Sequence, residues 1–243
     1  MTHEWLVCID DTDNLDSVGT GKLARWLADE LVRQGLLDAG GSTTRHQLLV
    51  HPDIPYTSHN SSACTRARGA ADVGPQLLDV ARSFLLEHWN DGANPGLCVC
   101  RADRVPAALV TIGQRAQREV LALADFDRDV SGMSELALWS AGPTGQGRIG
   151  ACAGVALRST GEDGRFIGLA GIRDLDGVLP AGEIVARSGV ERVQTSAGRP
   201  VADDELVDTR GWVRPNLIGG RATFVVREEG GRLLPNERRS QDD

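Results

Sequence analysis

The stretch EWLVCIDDTD, residues 4–13, constrains this chain more than any other. Trp5 to Ile9 are apolar without a polar alternate, and Asp10, Asp11 and Asp13 come directly after them. A short apolar run rich in strand formers reads as a strand buried on both faces. Its far end then has to hold several carboxylates side by side, and like charges within about 4–6 Å raise one another's pKa. A divalent cation relieves that strain well, because Mg2+ prefers oxygen ligands and shares them with nucleotide phosphates. The competing reading is a solvated acidic turn in which one aspartate caps the next helix.

The residues after the acidic stretch favour the cation. Gly19, Gly21 and Lys22 stand at the start of TGKLARWLADELVRQG, whose Leu23, Trp26, Leu27, Leu31 and Val32 recur at helical spacing and predict one buried stripe, with Gly35 as the stop. Free backbone N–H groups and the helix dipole attract anions at such a start. Thr20 also has an ordinary reading as the N-cap of this helix.

Three familiar motifs nearly fit. A P-loop needs glycine where Asp16 stands and Ser or Thr where Leu23 stands. An EF-hand needs a glycine at the sixth loop position and a closing glutamate, and DTDNLDSVGTGK has neither. The Asp-x-Asp of haloacid-dehalogenase-type phosphotransferases matches Asp11 and Asp13, with Asp11 as nucleophile. It also calls for a downstream lysine, and Lys22 is the chain's one lysine.

Farther along, HQLLVHPDIPY reads as a strand broken by Pro52 and Pro55, and TSHNSSACTRARGA as a polar loop. VGPQLLDVARSFLLEHW and GQRAQREVLALA read as helices, and NPGLCVC as a turn entering a strand. GPTGQGRIGACAGVAL brings three glycines and Arg148 ahead of a small-residue helix. RFIGLAGI and ATFVVRE read as strands, and NERRSQDD as a disordered tail. The expected fold class is α+β, or loosely α/β.

Cys8, Cys64, Cys98, Cys100 and Cys152 read as reduced core residues, since the Cys-x-Cys spacing is not a zinc knuckle. With no signal-like or bilayer-length apolar segment, the expected location is the cytoplasm. Acidic side chains outnumber basic ones 34 to 26, a net charge of -8, and no lysine- or arginine-rich run is present to grip phosphate backbones.

Taken in order, IDDTD, HPDIPY, NPG and GQGRIGACAGV resemble the catalytic core of the archaeal tRNA-isoleucine agmatinylcytidine synthetases, over roughly Val7 to Ile172. The resemblance implies a kinase-like ATP-binding module with a ferredoxin-like subdomain, and ATP and Mg2+ as cofactors. It implies metal ligands at Asp10, Asp11 and Asp13. Thr20 would fall on the threonine that the family phosphorylates on itself. Phosphorylating a carbonyl oxygen turns it into a leaving group that an amine can displace.

From these observations Thr12, Gly19, Gly21, Lys22, Gly147 and Arg148 are expected to hold the nucleotide, Arg148 offering a bidentate fork. Asp11, Thr20 and His59 are expected to be catalytic, His59 as acid or base because its ordinary pKa lies near neutrality. The expected segments are 1–68 for Mg-ATP, a ferredoxin-like or helical region over 69–160, a strand-rich region over 161–235, and a tail over 236–243. The archaeal enzymes continue into an OB-fold and a zinc ribbon, both of which this chain is expected to lack. That and the acidity make the expected enzyme a stand-alone, ATP-dependent kinase or ligase, open to oligomerisation, acting on a small molecule, with tRNA an unlikely substrate in the absence of a partner. Alternatives are a tRNA-modifying subunit with a separate RNA-binding partner, a non-catalytic ATP-sensing module, and the haloacid-dehalogenase-like chemistry.

Overall fold

The computed structural model describes residues 1–14, 16–54 and 60–236, which divide into two compact units, Met1–Thr160 and Gly161–Asp243. In the first, β1 (Thr2–Asp10) leads to α1 (Thr20–Arg33), β2 (Ser42–Gln47), β3 (Ser61–Ala70), α2 (Gly74–His88) and β4 (Gly96–Arg101). Then come α3 (Ala107–Ala116), α4 (Leu123–Val130), β5 (Ala137–Ser140) and α5 (Gly147–Thr160). The strands lie in the order β5-β4-β1-β3-β2, every neighbouring pair antiparallel.

β1 is the central strand, and its side chains alternate between two covered faces. The Trp5 ring meets Gly74 of α2 on one face. Leu6 and Cys8 pack on the other with Leu109 and Ile112 of α3, Phe126 of α4, and Cys152 and Val155 of α5. Helices on both faces account for the unbroken apolar run. Cys8 faces Cys64 of β3 and Cys98 of β4 across the ladders, and all five cysteines are free and buried.

Several expectations shift. SSACTRARGA is strand, not loop, because its small residues are buried between β1 and β2, where ladder pairing outweighs local propensity. β3 thus runs through position 68 without a break. HQLLVHPDIPY contributes only His46 and Gln47 to a strand that begins at Ser42. The single helix expected over 113–124 is two, α3 ending at Ala116 and α4 starting at Leu123. On α1, Leu23, Leu27 and Leu31 are buried as expected, Val32 is only half-buried, and Trp26 stands 39% exposed.

The second unit contains β6 (Arg165–Gly168), β7 (Val178–Pro180), α6 (Ala181–Ala186), β8 (Arg192–Thr195), β9 (Leu206–Asp208), β10 (Asn216–Ile218), β11 (Arg221–Glu229) and β12 (Arg232–Pro235). Its strands run in the order β6-β10-β11-β12-β9-β7, with β8 parallel to β11. Phe224, Val226, Ile184, Val193 and Val207 are among the side chains of its own apolar core.

Candidate active site

β1 ends at Asp10, and the turn after it is held from two sides by helix starts. Asp10 lies on the α5 face, where a Cβ placed on Gly150 would come within 1.6 Å of its Oδ2. A Cβ on Gly154 would likewise meet Cys8 Sγ at 2.4 Å, and one on Gly147 would meet the Asn94 carbonyl at 2.1 Å and Asp11 Cβ at 3.0 Å. Gly147, Gly150 and Gly154 recur at three- and four-residue spacing, so one stripe of α5 carries no side chains. That bare stripe lets the backbone of α5 lie directly against the acidic end of β1.

The electrostatics derive from this packing. Burial above all, and then the charges of Asp11 and Asp13, push the Asp10 carboxyl up to about 8 against a hydrogen bond from the Asp11 backbone that lowers it. Asp11 is raised as well, chiefly by burial, with Asp13 adding to it. The backbone N–H and side-chain amide of Asn94 both donate to Asp11 and hold the rise down. Asp11 has a φ of 50°, a left-handed backbone that a short polar side chain tolerates better than most.

Asn94 ties the site together. Its Oδ1 accepts from the Thr144 N–H and hydroxyl, each at 2.9 Å, and its carbonyl accepts from Gly147 N–H at 3.1 Å, so one residue joins the acidic turn to the start of α5. Asn90 N–H and Nδ2 donate to the Thr12 carbonyl. Sequence reasoning assigned none of this to Asn94 or Asn90. The available signal was an Asn-Pro-Gly turn, which marks a chain reversal but not its neighbours.

Thr20 is not the N-cap of α1. Gly19 takes that position in extended conformation, and Thr20 is the first helical residue. Its hydroxyl donates to Asp13 Oδ1 at 3.0 Å and accepts from the fully buried Thr12 hydroxyl at 3.0 Å, with the Thr12 N–H at 3.5 Å. A hydroxyl has one proton and two lone pairs, so this arrangement occupies it fully. Phosphate can be added to Thr20 only when the Thr12 contacts give way.

The remaining expected residues scatter. Lys22 is exposed, with Nζ 5.0 Å from the Trp26 ring centre. A haloacid-dehalogenase reading needs its lysine at the Asp11 carboxylate, and this lysine is engaged elsewhere. Gly21 is half-buried in the first turn of α1. Arg148 Nη2 bonds Asp127 Oδ2 of α4 at 2.9 Å, and its buried Nε has no hydrogen-bond partner among the described residues. His59 lies outside the described residues.

Among the described residues no three His, Cys, Asp or Glu side chains are grouped to hold a metal ion. Asp10 faces Gly150, Asp11 is bound by Asn94 and Asp13 is bound by Thr20. Two adjacent acids strained upward by burial still suit a Mg2+ that takes one or two carboxylates and completes its shell with phosphate oxygens.

No protein-family model and no curated protein matches the chain. Solved structures do. An apo TiaS, an agmatidine synthetase for an isoleucine tRNA, is similar at 25% identity with a TM-score of 0.54, covering 63% of this chain and 35% of that one. A tRNA fluorescent labeling enzyme is similar at 28% identity, with a TM-score of 0.51, over 63% of this chain and 36% of that one. A complex of TiaS with its isoleucine tRNA and ATP matches at 25% identity with a TM-score of 0.52, over the same shares of 63% and 36%. The fold is therefore TiaS-like and mixed α+β, and the chain spans about a third of the length of the structures it resembles. The complex with tRNA overturns the expectation, drawn from acidity and from the expected lack of RNA-binding domains, of a small-molecule substrate in place of tRNA. Net charge averages over the whole surface, whereas recognition of an RNA depends on local groups.

Proposed function

We propose that this chain is an ATP-dependent, RNA-modifying enzyme of the ligase or kinase type, activating a carbonyl oxygen of an RNA base for displacement by an amine. The observation that carries the reading is the acidic turn at Asp10–Asp13, seated on the glycine-bare N-terminal face of α5. That arrangement sets carboxylates for a cation beside helix N–H groups for phosphate. The likeness to a TiaS complexed with tRNA and ATP supports the substrate class.

In this reading the β1-α1-β2-β3-α2-β4 unit over 2–101 is the ferredoxin-like subdomain by its strand order, where the sequence predicts it over 69–160. Asp10 and Asp11 would hold Mg2+, and the ion would supply positive charge against the nucleotide phosphates. Asn94 orients Asp11, and Gly147 keeps the start of α5 within reach of the nucleotide. Asp13 and Thr12 fix the Thr20 hydroxyl. Arg148 is a positioning residue that ties the first turn of α5 to Asp127.

The test is nucleotide consumption by the purified chain with Mg-ATP, with and without an unmodified tRNA transcript, resolved by chromatography. The expected result is RNA-stimulated loss of ATP that an Asp11→Asn variant reduces by at least about a hundredfold, the scale seen when one electrostatic stabiliser is removed. ATP consumption equal in Asp11→Asn and the unaltered chain would refute the site. Consumption lost in the variant but indifferent to RNA would keep the site and refute the substrate.

A further inference from the structure

Trp26 is the only exposed Trp, Tyr or Phe side chain among the described residues, although its helical spacing predicts burial. It sits on α1, six residues past Thr20, or about 9 Å along the axis at 1.5 Å per residue. Lys22 precedes it by one turn and lies against its ring. Arg25 is beside it, and neither cation enters an ion pair among the described residues. Elsewhere in this unit Arg66 and Arg68 share Glu4, Arg101 binds Asp103 and Arg115 binds Glu119, while exposed Arg104 and Arg118 stand over no aromatic ring among the described residues. In a chain of net charge -8, the outer face of the helix that starts at the candidate nucleotide site joins two cations without ion pairs among the described residues to an exposed aromatic ring.

We propose that this face, Trp26 with Lys22 and Arg25, is where single-stranded RNA docks, a base stacking on the Trp26 ring and its flanking phosphates pairing with the two cations. The inference rests on the RNA reading above and says how the substrate approaches. An aromatic face takes any base, and cations beside it take the backbone, which together form the usual platform for unpaired nucleic acid. A duplex hides its base faces in the stack, so the occupant is a loop or a strand end. Exposed Asp29, on the same side of α1 one turn further, would repel phosphate and limits the platform to one or two nucleotides. Lys22 thereby leaves the ATP phosphates, its expected partners, for those of RNA.

The experiment is an anisotropy titration of a fluorescein-labelled single-stranded RNA oligonucleotide with the full chain, at two salt concentrations, with ATP binding measured in parallel as a check on the fold. Trp26→Ala is expected to weaken RNA binding by about 5- to 100-fold, and Trp26→Phe by much less, because stacking on one side chain contributes that much. Lys22→Gln should lower the slope of log K against log salt by about 0.7, the value for one phosphate of a single strand. Asp29→Asn should tighten binding. ATP binding should stay unchanged in all four variants. RNA bound equally well by Trp26→Ala and the unaltered chain would overturn the platform while leaving the RNA reading intact. An unaltered chain that binds no RNA would overturn both.

Discussion

α1, capped by Gly19, and α5, which begins with Gly147, both start at the acidic end of β1, and they meet it in opposite ways. α1 is amphipathic, with Leu23, Leu27 and Leu31 buried and Lys22 and Trp26 facing out. It reaches the acidic turn through a side chain, the Thr20 hydroxyl on Asp13. α5 is buried along most of its length and touches the same turn with backbone alone, because Gly147, Gly150 and Gly154 have removed the side chains that would stand in between. One helix start is adjustable and the other is a close-packed fit, so changes of equal chemical size should have unequal effects.

Gly147→Ala should have the largest. Its Cβ would meet the backbone of Asn94 and Gly96, which cannot swing away as a flexible side chain can, and overpacking of that kind costs on the order of 3 kcal/mol. Urea unfolding checks it, and a loss under about 1 kcal/mol would mean that α5 can retreat from β1.

The pH dependence of stability sharpens the comparison next. The folded chain holds a proton on Asp10 up to about pH 8, while the unfolded chain releases it near the ordinary carboxylate value of 3.8. The native state therefore binds more protons between those values, and stability falls as pH rises from about 4 to about 8. In EDTA and without nucleotide the loss should be on the order of a few kcal/mol, and Asp10→Asn should flatten the slope. Equal stability at pH 5 and pH 8 in the unaltered chain would show that α5 does not desolvate this carboxyl.

Gly19→Ala at the start of α1 should have the smallest effect. Its added Cβ would meet nothing nearer than Asp13 Oδ2 at 3.7 Å, and its φ of -64° suits any residue. A few tenths of a kcal/mol is the expected cost, since alanine caps a helix less well than glycine. A cost matching that of Gly147→Ala would erase the distinction between the two helices.

Much of this was legible residue by residue. The apolar run ending in aspartates marked β1 and its acidic end, the leucine spacing marked α1, and Gly35, with a φ of 71°, marked its stop. The glycines before a small-residue run marked α5. β3 was not legible, because Ser61–Ala70 is made mostly of small and charged residues with Thr65 as a lone β-branched strand former, and its place between β1 and β2 comes from partners distant in the chain. Trp26 was misread for a related reason. Its spacing fits the buried stripe, but the arc that α1 lays on the sheet is narrower than the periodicity allows.

The sequence by itself determined which residue types meet at the site, carboxylates, glycines, a threonine and a neighbouring lysine, and the helices and central strand that carry them. Only the tertiary structure decided what those residues do. It turned Lys22 outward onto Trp26, gave Arg148 to Asp127, brought Asn94 to Asp11 from 83 positions away, and buried Asp10 under α5. Local spacing sets the face of a helix or strand on which a side chain stands, but its partners and solvation depend on which distant segment packs against that face.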